Sequence, residues 1–205
     1  MEDKKDKKDE KIVLGSGKLY VLEFTGDIPD NSVIEQEVNR LGYIQGGATI
    51  EYKPTFYEAK DDLGYVVKRI LTDEEATLKS GIMTWNLLRL SKLCNTGKVI
   101  DDTTKGIRTL KVGGIGKYSS KRYITHFHHE DKQDGDVRVT IVGANEAGFT
   151  IAFAKDKETV VNAEFKAQPL DNEGTLIILQ EEIKSQEDPS PEEPLPDNGS
   201  GEDGD

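Results

Sequence analysis

Apolar and polar positions alternate with period two along much of this chain, the signature of half-buried strands. The clearest run is Val161 to Ala167, where Val161, Ala163, Phe165 and Ala167 alternate with Asn162, Glu164 and Lys166, leaving one face for a core and one for water. Phe149, Ile151 and Phe153 alternate in the same way, as do Val137, Val139 and Ile141, and three such runs at short spacing predict an antiparallel meander. Further strands are predicted at Lys18 to Phe24, Ala48 to Lys53, Tyr65 to Leu71, Ala76 to Thr84, Arg108 to Val112, Tyr123 to His129 and Leu176 to Leu179. So many strands in one modest domain favour a sandwich or closed barrel over an open sheet, because closure covers apolar faces and limits exposed edges.

Two segments depart from this pattern. In WNLLRLSKLC, Leu87, Leu90 and Cys94 fall on one helical face, so a short helix is expected with Thr84 as N-cap and a stop at Asn95, Thr96 and Gly97. The stretch from Gly47 to Thr84 reads as two long strands joined around Ala59 to Gly64, where Asp61, Asp62 and Gly64 supply turn chemistry. Such a hairpin is longer than a compact domain requires, and its tip is expected to project. Thr72 to Glu75 also fits a capping box, but Gly81, Ile82 and Met83 argue for a strand.

Charge divides the chain into three. Residues 1 to 10, MEDKKDKKDE, and the Glu, Asp, Pro and Gly-rich segment from 181 to 205 cannot build a core and are expected to be disordered, leaving 11 to 180 as one β domain. The net charge of -12 is concentrated in the last segment, where ten acidic residues face Lys184 alone, so the rest of the chain is close to neutral. A body without a basic surplus argues against tight duplex binding, since each neutralised phosphate needs a Lys or Arg. There is no apolar run near the ~20 residues that span a bilayer, and the N-terminus is charged where a secretory signal is apolar, so a soluble cytoplasmic product and no membrane partner are expected.

The candidate chemistry is sparse. In THFHHED, His126 and His128 share a strand face and could offer two imidazoles to a metal, with Glu130 or Asp131 to complete it; His129 points the other way, and a partly buried strand end is the simpler reading. The glycines of LKVGGIGKYSS lack the spacing of a phosphate loop and read as a turn between strands. Cys94 is the lone cysteine and sits near a helix C-terminus, where a thiol is not activated, so it reads as a small core residue. The acidic pairs Asp61 and Asp62, Asp101 and Asp102, and the run from Glu130 to Asp136 lack a calcium-loop spacing and read as solvated turns. No catalytic set, cofactor or metal site is therefore expected, and the chain does not read as an enzyme.

The segments LGSGKLYVLEFTG, GGATIEYKP, AKDDLG, EEATLKSGIMTWN, LKVGGIG, HEDKQDGDVRVTIVGANEAGFTIAFAKDKETVVNAEFKA and DNEGTLII, in this order and spacing, resemble the major tail (tail tube) proteins of siphophages and related prophages of low-GC Gram-positive bacteria. The resemblance spans nearly all of Lys11 to Gln180. It implies an antiparallel β-sandwich or barrel of the tail tube type, with a flanking helix and a long projecting hairpin. It also implies a virion protein that assembles, first in the host cytoplasm, into stacked hexameric rings. The implied partners are further copies of itself, other tail proteins such as the tape measure and tail terminator, and DNA passing through without specific binding. The hairpin Lys53 to Tyr65 matches the family's inter-ring contact, which makes Pro54, Phe56, Tyr57, Asp61, Asp62, Leu63 and Tyr65 the expected stacking residues. The competing expectation is a surface module whose sandwich presents Trp85 and tyrosines to carbohydrate or a receptor. The acidic segment is expected either to stay outside the tube as a solvating brush or to take the place of a link to an additional domain in related proteins.

Overall fold

The computed structural model describes residues 15–151, 153, 155–156 and 158–183. The expected charged segment 1–10 lies outside these residues, as does 181–205 from residue 184 onward. Among the described residues the fold is mainly β and every strand pairing is antiparallel. The strands are β1 Lys18–Glu23, β2 Arg40–Gly42, β3 Ile44–Lys60, β4 Val66–Ile82, β5 Lys98–Asp102, β6 Ile107–Lys111, β7 Tyr123–His129, β8 Val137–Asn145, β9 Val161–Ala167 and β10 Ile177–Glu181. Short helices α1 (Asn31–Ile34) and α2 (Leu87–Leu90) and three 3-10 turns complete it. No helix among these residues is long and apolar enough to cross a membrane.

The main sheet runs β2-β1-β7-β8-β9-β4-β3, with β10 also on β8. Its two ends, β2 and β3, are consecutive in the chain, with Tyr43 alone between them. The pairing path therefore returns on itself, because Arg40 to Lys60 acts as one bent strand that pairs first with β1 and then with β4. The bend is stitched by Met83 N donating to the Tyr43 carbonyl and Tyr43 N donating to Thr84 Oγ1, both at 2.8 Å.

Period two places the core inside this ring. Leu19 and Val21 of β1, Leu41 of β2, Leu78 and Ile82 of β4, Ile141 of β8 and Val161, Ala163 and Phe165 of β9 are buried together. Each large side chain among them contributes about 1.5–3 kcal/mol by leaving water. Leu90 of α2 and Leu93 of the following 3-10 turn, Ser91–Leu93, close one opening. A second, smaller layer covers the outer face of β1, β7 and β8, where Tyr20, Ile124 and Val142 pack against Ile34 of α1.

Several elements differ from expectation. The N-cap of α2 is Asn86, whose side chain accepts from Leu88 N (3.0 Å) and Arg89 N (3.3 Å); the hydroxyl of Thr84 is already engaged with Tyr43. The helix turns 3-10 after Leu90, which carries Leu93 inward and leaves Cys94 half-buried. Phe149 to Phe153 is not a strand between β8 and β9: Ile151 makes one bridge, to Val161, while Phe149 and Ile151 pack on the core. β8 takes only Phe165 to Ala167 of the β9 edge opposite β4, and the segment meets the remainder of that edge at Val161 alone. The expected meander is broken accordingly, and β8 shares its second edge between β9 and β10.

Candidate assembly surface and a buried histidine network

β3 and β4 are each 17 residues long. At about 3.3 Å per residue each spans roughly 55 Å, more than a domain of this size can cover. β9 pairs with β4 only from Thr77 to Ile82. Beyond the Lys53–Glu75 pair the two strands run on as an arm of about 25 Å with both outer edges unpaired among the described residues. Within the body β3 forms a bulge between Gln45 and Ala48, at Gly46 and Gly47, whose φ of 77° and 74° suits glycine. Ser80 Oγ donates to the Gly47 carbonyl across it at 2.9 Å.

The tip is built as its sequence implies. Asp61 Oδ1 accepts from Leu63 N (3.0 Å) and Tyr65 N (2.8 Å), and Gly64, at φ 84°, donates its N–H to the Asp61 carbonyl. A second bulge sits midway, where Thr72 is the extra residue and its hydroxyl donates to the Thr55 carbonyl at 3.1 Å.

The two faces of the arm differ in chemistry. On one, at the root of the arm, Glu51, Lys53, Glu75, Lys79, Glu164 and Lys166 alternate in sign, with Lys53–Glu51 and Lys166–Glu75 both at 2.7 Å, and farther out the same face carries Tyr57 opposite Ile70. Lys53 holds the Glu51 carboxyl below its ordinary range, and Lys166 does the same for Glu75. The other face continues the core side of β4. Leu78 and Ala76 are buried there at 1 % exposure, and the same row then runs out through Tyr52, Pro54, Phe56 and Leu71, with Phe56 opposite Leu71 and exposed at 43 %. Arg69 lies over the Phe56 ring at 4.1 Å, and the Tyr52 hydroxyl bonds Glu74.

The expected stacking residues all lie on this arm. Pro54, Phe56, Tyr57, Asp62, Leu63 and Tyr65 are exposed, whereas the Asp61 carboxylate is turned inward to hold the tip. Sequence reading missed the contribution of β4, where Val66, Val67, Ile70 and Leu71 are also exposed. The signal was available in the unbroken strand propensity from Tyr65 to Leu71, whose partner faces were not assigned.

His126 and His128 do share a face, and both are buried. Glu35, just after α1, reaches over them. A carboxylate only accepts, so His126 carries its proton on Nε2, donates to Glu35 Oε1 (3.2 Å) and accepts at Nδ1 from the Thr140 hydroxyl (2.8 Å). His128 Nε2 donates to Asp136 Oδ2 at 2.8 Å, while its Nδ1 lies 3.3 Å from Glu35 Oε2 without hydrogen-bond alignment. Arg138 bonds both carboxylates, Glu35 at 2.6 Å and Asp136 at 3.0 Å.

Burial pushes the His126 pKa down, and the Glu35 carboxylate offsets this only in part. Burial also pushes Glu35 and Asp136 upward, but Arg138 and the imidazoles outweigh it and hold both below their ordinary range. Among the described residues no group of three His, Cys, Asp or Glu is placed to hold a metal ion. The Arg138 guanidinium occupies the position between the carboxylates that a cation would need. Glu130 pairs with Lys18, and Asp131 Oδ1 caps the turn by accepting from Gln133 N and Asp134 N. His129 faces away and donates from Nδ1 to the Ser16 carbonyl at 2.7 Å.

The other sequence candidates are structural. Gly113 and Gly114, at φ 106° and 98°, shape the turn before β7, and burial raises the Cys94 thiol pKa. Asp101 forms a paired bond with Arg108 across β5 and β6 at 2.6 and 2.8 Å. Trp85 is half-exposed against Phe153, with rings tilted by 51°, so the pair makes no flat platform for a sugar face. Compared with protein-family models and with curated proteins, the chain matches none of either.

Proposed function

We propose that this protein is a virion structural subunit that assembles with copies of itself into stacked rings, hexameric as the family resemblance implies, forming a tail tube through which DNA passes. The observation that supports it most is the arm, whose apolar face continues the core side of the sheet into solvent. Monomeric proteins rarely leave apolar patches beyond a few hundred Å2 uncovered, and a patch on a hairpin whose two outer edges are unpaired among the described residues is suited to burial against another subunit. In this reading the ring is a β-barrel of the tail tube type, the arm reaches the adjacent ring, and the free edges of β3 and β4 extend a neighbour's sheet. A closing rotation makes the ring and a non-closing contact makes the length. The subunit does no chemistry, and the tape measure and tail terminator are its proposed partners in the virion.

Electron microscopy of the purified full chain over a wide concentration range tests this. Rings or tubes are expected. Monomers at every concentration, alone and with partner tail proteins, would overturn the reading.

A further inference from the structure

The near-neutral body conceals a cationic surface. Between residues 92 and 122 there are eight Lys and Arg against Asp101 and Asp102, a surplus found nowhere else in the chain. Lys98, Lys105, Arg108, Lys111 and Lys117 lie on the β5–β6 hairpin and the turn that follows it, whereas Lys92 donates to the Val21 carbonyl and Lys121 pairs with Glu23. Asp101 and Asp102 are already neutralised by Arg108 and Lys105. Lys98 stands directly opposite Lys111 in the β5–β6 register, both are exposed, and neither has an anionic partner among the described residues. Like charges facing each other across a ladder are destabilising, and an anion between them removes that penalty. Lys117, in the 3-10 turn Ile115–Lys117, adds a third unpaired cation, and Ile100, Ile107 and the 96 % exposed Ile115 put apolar groups among the charges.

The same chain carries a matching anion. Residues 184–205 hold eight carboxylates against Lys184, with four prolines and Leu195 among them. Glu182 N donates to the Asp136 carbonyl, and β10 pairs Glu181 with Val137, so the chain leaves the body at the His129–Val137 end of β7 and β8. The cationic segment joins the body at Tyr123, which pairs with Gly143 at the other end, about 20 Å away. The root of the acidic segment and the cationic hairpin thus lie at opposite ends of the same strands, which brings them together when copies associate head to tail.

We propose that the acidic segment 184–205 of one copy docks on the Lys98, Lys111 and Lys117 surface of a second copy. This goes beyond the tube reading and uses no residue of the arm, so the two stand or fall separately. The docked segment would also screen this surface from other polyanions.

The test mixes full-chain protein grown in normal and in 15N medium and joins carboxylates to amines with a zero-length carbodiimide. Mass spectrometry then identifies the coupled peptides. Cross-links between 184–205 and Lys105, Lys111 or Lys117 containing one light and one heavy peptide are expected, falling about fivefold or more when salt rises from about 50 to 500 mM. K98E/K111E should abolish the remaining links at Lys105 and Lys117, and K98R/K111R should keep them. Links of a single isotope only, with no mixed pairs, would place the segment on its own body and overturn the proposal. So would links unchanged in K98E/K111E, or no links at all. Binding of a duplex DNA oligonucleotide to the same lysines in the full chain at physiological salt would assign the surface to nucleic acid instead.

Discussion

His126 donates its Nε2–H to Glu35 at 3.2 Å across 91 residues of sequence, and this bond fastens the segment after α1 onto β7. It is made by a neutral imidazole, which gives it a pH dependence.

Burial lowers the His126 pKa below its ordinary 6.5, so as pH falls past that value the unfolded chain takes up a proton that the folded chain refuses. Stability is therefore lost from about pH 6.5 downward until the folded pKa is reached. A second loss begins below the ordinary 4.5 of Glu35 and 3.8 of Asp136, whose folded pKa values are depressed. Urea midpoints measured across this range should show both steps. His126→Gln should remove the first while costing about 1–3 kcal/mol at neutral pH, because a buried bond is imperfectly replaced. A slope unchanged in the variant would assign the step elsewhere.

Phe56 and Leu71 face each other on the arm, exposed in the single subunit. The double variant Phe56→Ser, Leu71→Ser should change folding stability by less than about 1 kcal/mol, in line with surface substitutions elsewhere. If the arm is the stacking surface, the variant should lose tubes in micrographs while keeping its thermal midpoint.

Gly143 is the closest approach of β8 and β9. A Cβ there would lie 1.9 Å from the Lys166 carbonyl oxygen, a backbone atom that cannot swing aside. Gly143→Ala should cost about 1–3 kcal/mol or more by prising the two strands apart. Denaturant titration reads this directly, and a neutral result would mean that the strands separate freely at that point.

Asn86→Ala should cost about 1 kcal/mol through loss of the α2 cap, whereas Thr84→Ala should leave α2 intact and act on the Tyr43 bend. Helical signal and amide exchange at Tyr43 distinguish the two.

Strands with clean alternation were legible in the sequence: β7 and β9 run between the residues that period two marks. The hairpin was legible too, because Asp61 and Gly64 specify its turn locally. What stayed hidden was set by partners. β2 is three residues long and is a strand only because β1 lies beside it, and β5 has no alternation strong enough to stand out from its turns. Phe149 to Phe153 alternates well but meets β9 at Ile151 alone and turns Phe149 and Ile151 onto the core, which no local pattern reveals. The histidines could be placed on one face, yet Glu35 is too distant in sequence for their network to be read. The cationic hairpin was hidden by averaging, since its surplus cancels against acidic residues elsewhere in the body.

The bend at Tyr43 has a mechanical consequence. Because the strand that closes the ring is also the strand that forms the arm, a pull on the tip enters the body along β3 itself. The tip turn loads β3 and β4 alike, so the shear falls on the β4–β9 ladder, Thr77↔Lys166 to Ile82↔Val161, whose bonds lie across the direction of such a pull. They are loaded together, in shear, and do not peel one at a time, so tension on the arm is resisted by the whole ladder.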